Sequence, residues 1–416
     1  MIRGCEKTMK SRSSLILTKG KKTSRRFVEL FAGIGLVRLA FEQIGWSCVF
    51  ANDIDPQKQQ GYKLNFGSKD FVLKDVWKVK ARSLPKGVDL ITASFPCTDL
   101  SLAGNRAGLK GSQSGTFWAL IKIVTEMRKL SALPKMIFVE NVLGFLTSNK
   151  GQDIRQAVSA INKLNYLVDI IVLDACHFVP QSRPRIFLIA TNKNIKSISL
   201  LAKRDDAPLS TWTMRLAQSS LRPKAVAKFI QENPDLDFGL FDLPDPPVRK
   251  TTLNDVLESF EDGAEEWWDS QTLNKLLNQM SPMHRRWIEA MQMAQTYKYG
   301  TVYRRVRNGI SRAELRVDGT AGCLRTPRGG SSKQIVLRAG RETIAARWMT
   351  PREYARLQGV SDTFKLPENK IQAYFGLGDA VCVQAVHWLA SHSVNSLITP
   401  LPKLGSQNGH KKAMPK

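Results

Sequence analysis

The run Phe27-Val28-Glu29-Leu30-Phe31-Ala32-Gly33-Ile34-Gly35 decides the fold. Its first five residues read as a strand, and Leu36, Leu39, Ala40 and Ile44 then recur at helical spacing. The stretch is therefore a strand, a glycine turn and a helix. Two close glycines let backbone approach a ligand, and the helix beyond offers unpaired N–H groups at its start. No Lys-Ser or Lys-Thr follows, which removes a Walker-type phosphate loop. A second strand, Ser47-Cys48-Val49-Phe50-Ala51, ends at Asn52-Asp53. An acidic side chain there, roughly 20 residues after the glycine turn, is placed to accept hydrogen bonds from a ribose. The turn alone is weak evidence, since many such turns are only tight connections. Coupled to Asp53 it suggests an adenosine-containing cofactor. Asp75-Val76, after a short apolar run, reads equally as a further cofactor contact or as a plain turn.

A third strand-like run, Val88-Asp89-Leu90-Ile91-Thr92-Ala93, leads into Ser94-Phe95-Pro96-Cys97. Proline fixes its own φ and removes a backbone donor, so the strand should stop there and present Cys97 on a rigid bend. Another apolar strand, Met136-Ile137-Phe138-Val139, ends in Glu140-Asn141-Val142. If both strands lie in one parallel sheet, their carboxyl ends share the crevice where open α/β sheets bind ligands. A nucleophile and a carboxyl group then face one substrate. Taken singly, a free cysteine is more often a small buried hydrophobe, and Glu140-Asn141 reads as well as a solvated corner. Between the two strands, a Gly-rich segment from Gly104 to Gly115, with Arg106, Lys110, Ser112 and Ser114, is long enough to close over a site. Further on, Pro180-Gln181-Ser182-Arg183-Pro184-Arg185 precedes the strand Ile186 to Ala190. Two arginines two apart on extended chain project to the same side. They are either solvent-exposed charges or, beside a cleft, a clamp for an anion or carbonyl.

The chain has 416 residues, room for one large domain and a smaller one. Lys and Arg number 62 against 36 Asp and Glu, a net charge of +26 that suits a polyanionic partner. Cys5, Cys48, Cys97, Cys176, Cys323 and Cys382 are scattered without C-x-x-C pairs, which argues against zinc or a disulfide framework and fits a reducing cytosol. No apolar run approaches the ~18 residues of a membrane span, so a cytoplasmic protein without a membrane partner is expected. Residues 1–25 and 399–416 read as basic and polar tails. From about residue 192 strand-helix alternation lapses into polar loops with tryptophans, an acidic patch from Glu261 to Asp269 and a basic stretch from Arg304 to Arg338. Residues 192–340 are therefore expected to form a second, less regular domain facing nucleic acid, with Arg325, Arg328 and Lys333 as contacts. A capping box at Thr350-Pro351-Arg352-Glu353 starts a helix, and Gly376 to Val381 turns into another.

In order, these blocks resemble the C5-cytosine DNA methyltransferases over most of residues 26–395. The matching residues are Phe31-Ala32-Gly33-Ile34-Gly35, Phe95-Pro96-Cys97, Glu140-Asn141-Val142, Gln181 through Arg185, Arg347 through Gly359, and Gly378-Asp379-Ala380-Val381. The resemblance implies a Rossmann-like methyltransferase fold, a mostly parallel doubly wound sheet with a smaller irregular target-recognition domain. The expected limits are 26–191 and 341–398 for the catalytic part and 192–340 for target recognition. It implies S-adenosylmethionine as cofactor, held by Phe31 to Gly35, Asp53, Ile54, Asp75, Val76, Phe95, Phe117 and Asp379 to Val381. It implies that Cys97 adds to carbon 6 of a cytosine flipped out of double-stranded DNA and Glu140 holds or donates a proton at ring nitrogen 3. Arg185 and Arg183 would bind the base carbonyl or a phosphate, with Arg106 and Gln181 among the DNA contacts. A restriction endonuclease acting on the same site is an implied partner, and a prokaryotic, nucleoid-associated setting follows. Two departures stand out: Ser114-Gly115-Thr116-Phe117 where the family usually has an Arg-Gly pair, and Asp379 where Asn is commoner. An RNA cytosine methyltransferase, a non-catalytic DNA-binding protein and a nucleotide-dependent dehydrogenase are the competing readings.

Overall fold

The computed structural model describes residues 25–100, 107–204, 209–307, 309–326 and 333–398. Arg106, Arg328 and nearly all of both tails fall outside them. The larger sheet has seven strands: β1 (Arg26–Leu30), β2 (Ser47–Asp53), β3 (Phe71–Leu73), β4 (Leu90–Ala93), β5 (Met136–Val142), β6 (Tyr166–Asp174) and β7 (Pro184–Asn192). Their order is β3-β2-β1-β4-β5-β7-β6, and β7 alone opposes the common direction. The chain runs outward from β1 to β3 and then returns to β4 on the other side of β1. The turns after β1 and β4 therefore meet at the topological switch point, where such sheets open a crevice.

Alternate residues of the central strands feed opposite faces. Phe27, Phe138, Phe187 and Ile189 enter one core, and Val28, Ile137, Val139 and Leu188 the other. Both sets are apolar because both faces are covered, so these strands read as continuous hydrophobic runs. Each such side chain contributes roughly 1.5–3 kcal/mol by leaving water. Helix α1 (Leu36–Glu42) covers the first face together with the helix Val383–His392, near the C-terminal end of the described residues. Helices α2 (Pro56–Phe66) and α3 (Phe117–Lys129) follow β2 and the Cys97 turn respectively.

A second sheet is antiparallel: β8 (Lys298–Arg307), β9 (Ile310–Arg316), β10 (Ile335–Gly340) and β11 (Thr343–Trp348), in the order β11-β10-β8-β9. It shares a core of its own with the helices Ser270–Asn278 and Pro282–Gln292, through Leu276, Met280, Ile288, Val302 and Leu337.

The packing departs from the expected domain limits at both ends. Residue 340 lies inside the β10–β11 hairpin, whose register runs from Ile335 opposite Trp348 to Gly340 opposite Thr343. At the other end, Trp212, Phe229 and Phe238 enter one core of the large sheet, and Leu221, Phe241 and Val256 the other. Asp169 of β6 and Arg222 form a fully buried ion pair, with Arg222 Nε donating at 2.9 Å. Alternation lapses in this segment because it wraps the sheet without adding strands to it. Arg25, expected in the tail, bonds Asn395 and abuts β2 through its carbonyl. Among the described residues no helix is long and apolar enough to cross a membrane.

Candidate active site

The glycine turn after β1 holds three left-handed residues, Phe31 (φ 59°), Gly33 (φ 56°) and Gly35 (φ 86°). Glycine adopts this conformation freely, but phenylalanine does not, and such strain concentrates at functional sites. A Cβ on Gly35 would lie 2.4 Å from the Phe66 ring, whereas one on Gly33 meets nothing within 4 Å. Gly33 thus borders open space. Asp53, ending β2, accepts from Gly33 N at 2.8 Å and from Asp55 N at 3.0 Å, so carboxylate and turn are fixed together. Beside it Ile54 is 66% exposed, an apolar plate next to an acidic hydrogen-bond acceptor. Asp75 accepts from Trp77 N at 3.0 Å, and Val76 is buried. The open turn, the carboxylate and the apolar plate suit the hydroxyls and flat base of an adenosine group. Of the other expected cofactor contacts, Ala32, Ile34, Phe95 and Val381 are buried. Phe117 is fully buried, its ring 5.5 Å from that of Phe95, and so belongs to the core rather than to an open wall.

The Cys97 turn is anchored from two sides. Asn141 Nδ2 donates to Phe95 O at 3.0 Å, and Ser114 Oγ donates to Pro96 O at 2.8 Å. Asp99 accepts from Gln113 N and Ser114 N, tying the chain just before α3 to the same turn. Ser114, the departure from the expected Arg-Gly pair, is therefore a buried strut for the thiol turn. Strands β4 and β5 pair in parallel, which brings Glu140 to the same sheet edge. Arg185 sits opposite Val142 in the β5–β7 register, and its Nε lies 3.1 Å from Glu140 Oε1. Burial pushes the Cys97 thiol up, Arg185 and Arg183 pull it down, and Glu140 and Asp379 push it up again; the net direction is upward.

Arg183 does not share the open face with Arg185. It is 3% exposed and donates to Leu324 O (2.8 Å), Gly378 O (3.2 Å) and Ala380 O (2.5 Å), so its guanidinium joins two remote segments. Its expected contact with the base gives way to this framework role, because burial leaves it no face toward solvent. Gln181 is corrected for the same reason. It is fully buried, donating to Leu357 O at 2.7 Å and accepting from Leu324 N at 3.1 Å, with no surface for DNA. Arg325 is exposed, and Lys333 stacks 4.6 Å from the Trp348 ring centroid.

Asp379, the second departure, forms an ion pair with Lys58 of α2 at 2.8 Å. The pair links the N-terminal turn of α2 to the C-terminal end of the helix Lys370–Asp379, near Asp53. Sequence reasoning missed Lys58 because nothing in its neighbourhood marks a partner more than 300 residues away. Asn141 falls inside the Glu140-Asn141-Val142 motif, and only the folded chain shows that its amide reaches Phe95 O.

The family model for C-5 cytosine-specific DNA methylase matches residues 25–394. The chain belongs to that family. As one of these methylases it transfers a methyl group from S-adenosylmethionine to carbon 5 of cytosine in DNA. It is 27% identical over 376 residues to the type II methyltransferase M.DsaV of Dactylococcopsis salina, covering 89% of this chain and 86% of that protein. With M.HhaI of Haemophilus parahaemolyticus the identity is 26% over 381 residues, 90% of this chain and 96% of the relative. Among solved structures, Schizosaccharomyces pombe Dnmt2 superimposes with a TM-score of 0.56 at 18% identity, covering 90% of this chain and 99% of its own. That likeness is one of fold, the Rossmann-like methyltransferase fold with a smaller appended part.

Proposed function

We propose that Cys97, Glu140 and Arg185 carry out this methylation on a cytosine turned out of double-stranded DNA. The observation that carries the reading is the Arg185–Glu140 pair at one sheet edge with the anchored Cys97 turn. Carbon 5 of cytosine is a poor nucleophile. Addition of the Cys97 thiolate to carbon 6, with Glu140 holding a proton at ring nitrogen 3, turns the ring into an enamine that is nucleophilic at carbon 5. Arg185 holds the base carbonyl while it keeps Glu140 in place. S-adenosylmethionine, when bound, supplies an electrophilic methyl group. Phe31 to Gly35, Asp53, Ile54, Asp75 and Asp379 would hold it. Loss of the carbon-5 proton then expels the Cys97 sulfur and restores the ring. A base stacked in the duplex cannot reach the half-buried thiol of Cys97, so the cytosine must leave the helix.

Residues from about 258 to 348, with the second sheet and its own core, are proposed as the target-recognition part, reading base edges in a specific sequence. Arg325 and Lys333 remain proposed DNA contacts. The type II names of the relatives support a cognate restriction endonuclease as partner, and their bacterial sources support a prokaryotic cytoplasm with the protein on nucleoid DNA.

Trapping on duplex DNA carrying 5-fluorocytosine tests the reading. A covalent complex is expected for the wild-type chain and none for Cys97→Ala. An adduct that survives Cys97→Ala removes the assignment.

A further inference from the structure

We propose that Cys323 is a positioning residue for methyl transfer, its sulfur accepting from both arginines of the 183–185 segment and so setting the plane of the guanidinium that faces Glu140. The proposal rests on the placement of Arg185 in the reactive site. Arg185 has three acceptors: Nε lies 3.1 Å from Glu140 Oε1, Nη1 donates to Pro184 O at 2.9 Å, and Nη2 lies 3.7 Å from Cys323 Sγ. Arg183 Nη1 donates to the same sulfur at 3.3 Å. A guanidinium held at all three nitrogens cannot rotate about its long stem, and a planar fork keeps its bonds only in that plane. Removing the sulfur frees one edge of Arg185.

The sulfur is suited to this task. Cys323 lies between β9 and β10, where Leu324 N donates to the Gln181 side chain and the main chain of Ala321 pairs with Gln181. Its own proton, when present, points to Leu324 O at 3.5 Å, which leaves the sulfur lone pairs to the arginines. Burial would raise this thiol, but Arg183, Arg185 and Arg325 together bring it below the ordinary thiol value. Glu140 and Cys97 act electrostatically on the same two arginines. The site therefore holds two thiols displaced in opposite directions: Cys97, which reacts, is pushed up, and Cys323, which orients, is pulled down.

The full chain is assayed with S-adenosylmethionine and duplex DNA. Cys323→Ala is expected to lower kcat about ten-fold, the worth of one lost hydrogen bond to a charged group, with both KM values within about two-fold. Cys323→Ser, which keeps an acceptor, is expected to restore most of the loss. Equal impairment of the two variants, activity like wild type in both, or a KM rise with kcat intact overturns the proposal. If Cys323→Ala does not fold by circular dichroism, the thiolate absorbance of wild type minus that of Cys323→Ser decides. It should titrate below the ordinary thiol value, and titration at or above that value overturns the proposal. Cys97→Ala, run alongside, keeps the two readings apart: full activity there would sink the assignment of the site itself, whatever Cys323 does.

Discussion

Asn141 donates its side-chain amide to the carbonyl of Phe95 at 3.0 Å, so the strand that presents Glu140 also holds the turn that presents Cys97. The acid and the nucleophile are thus positioned by neighbouring residues of one strand end. Asn141→Ala leaves a buried carbonyl without a partner, which costs about 1–3 kcal/mol, and lets the thiol turn drift. Because displacement of a reacting group by about 1 Å costs up to 100-fold, kcat should fall about 10–100-fold, with DNA binding in a gel shift unchanged. A variant with wild-type kcat would show that the turn holds itself.

The reactive thiol should show its displacement in a pH profile. Burial raises Cys97, so its thiolate fraction still climbs with pH above the usual thiol value of about 8.5. Alkylation of Cys97 by iodoacetamide, followed on its peptide, should rise through that range without a plateau. Arg185 opposes the rise, so Arg185→Ala should move the profile to still higher pH. A plateau near neutrality in the wild-type chain contradicts this.

Lys58 and Asp379 form a half-exposed pair whose direct worth is about 0–1 kcal/mol. Asp379→Asn removes one charge and leaves a hydrogen-bond acceptor, so the dissociation constant for S-adenosylmethionine should change less than about five-fold. Lys58→Glu places a carboxylate against Asp379 and near Asp53 and Asp55, and should weaken cofactor binding by at least ten-fold, roughly the 1.4 kcal/mol of one close repulsion. Equal affinities for the two variants, measured by calorimetry, would mean that the pair does not border the cofactor.

Arg222 and Asp169 tie the segment after β7 to the large sheet. Removing one partner of a buried pair strands the other charge, so Arg222→Ala should cost about 3–5 kcal/mol in urea denaturation. A loss under about 1 kcal/mol would mean that this segment folds separately from the sheet.

The glycine turn, Cys97 and Glu140 were legible because each lies in a local pattern, a strand followed by a turn residue of special geometry. Arg183 and Arg185 were not separable. Their spacing puts both on one side, but the contacts that bury Arg183 come from Leu324, Gly378 and Ala380, more than 100 residues away. The limit at 340 failed for a local reason. The β10–β11 turn is Arg341-Glu342, both left-handed at φ 51° and 62°, without the Asn-Gly signature that marks such hairpins. Residues 192–257 carry helices and extended chain that cover the sheet, and no periodicity reports which sheet a covering segment belongs to.

Glu29, on β1 beneath the glycine turn, is a buried carboxylate of the large sheet whose titration should be visible in stability. It is 1% exposed, Oε1 accepts from Arg38 N at 3.1 Å, and Oε2 has no hydrogen-bond partner among the described residues. Burial raises it from 4.5 to about 8, against the opposing pull of the Arg38 N–H and charge. The folded carboxyl therefore keeps its proton where the unfolded one has lost it. Below about pH 4.5 both states are protonated and the group costs nothing; between about 4.5 and 8 the penalty grows; above about 8 it is constant. Glu29→Gln keeps the acceptor for Arg38 N and cannot ionise. It should match wild type near pH 4.5 and exceed it by on the order of a few kcal/mol near pH 8.5, read from urea denaturation at each pH. A difference that stays the same across that range would mean that Glu29 is charged in the folded protein, with a counter-charge strong enough to hold it so.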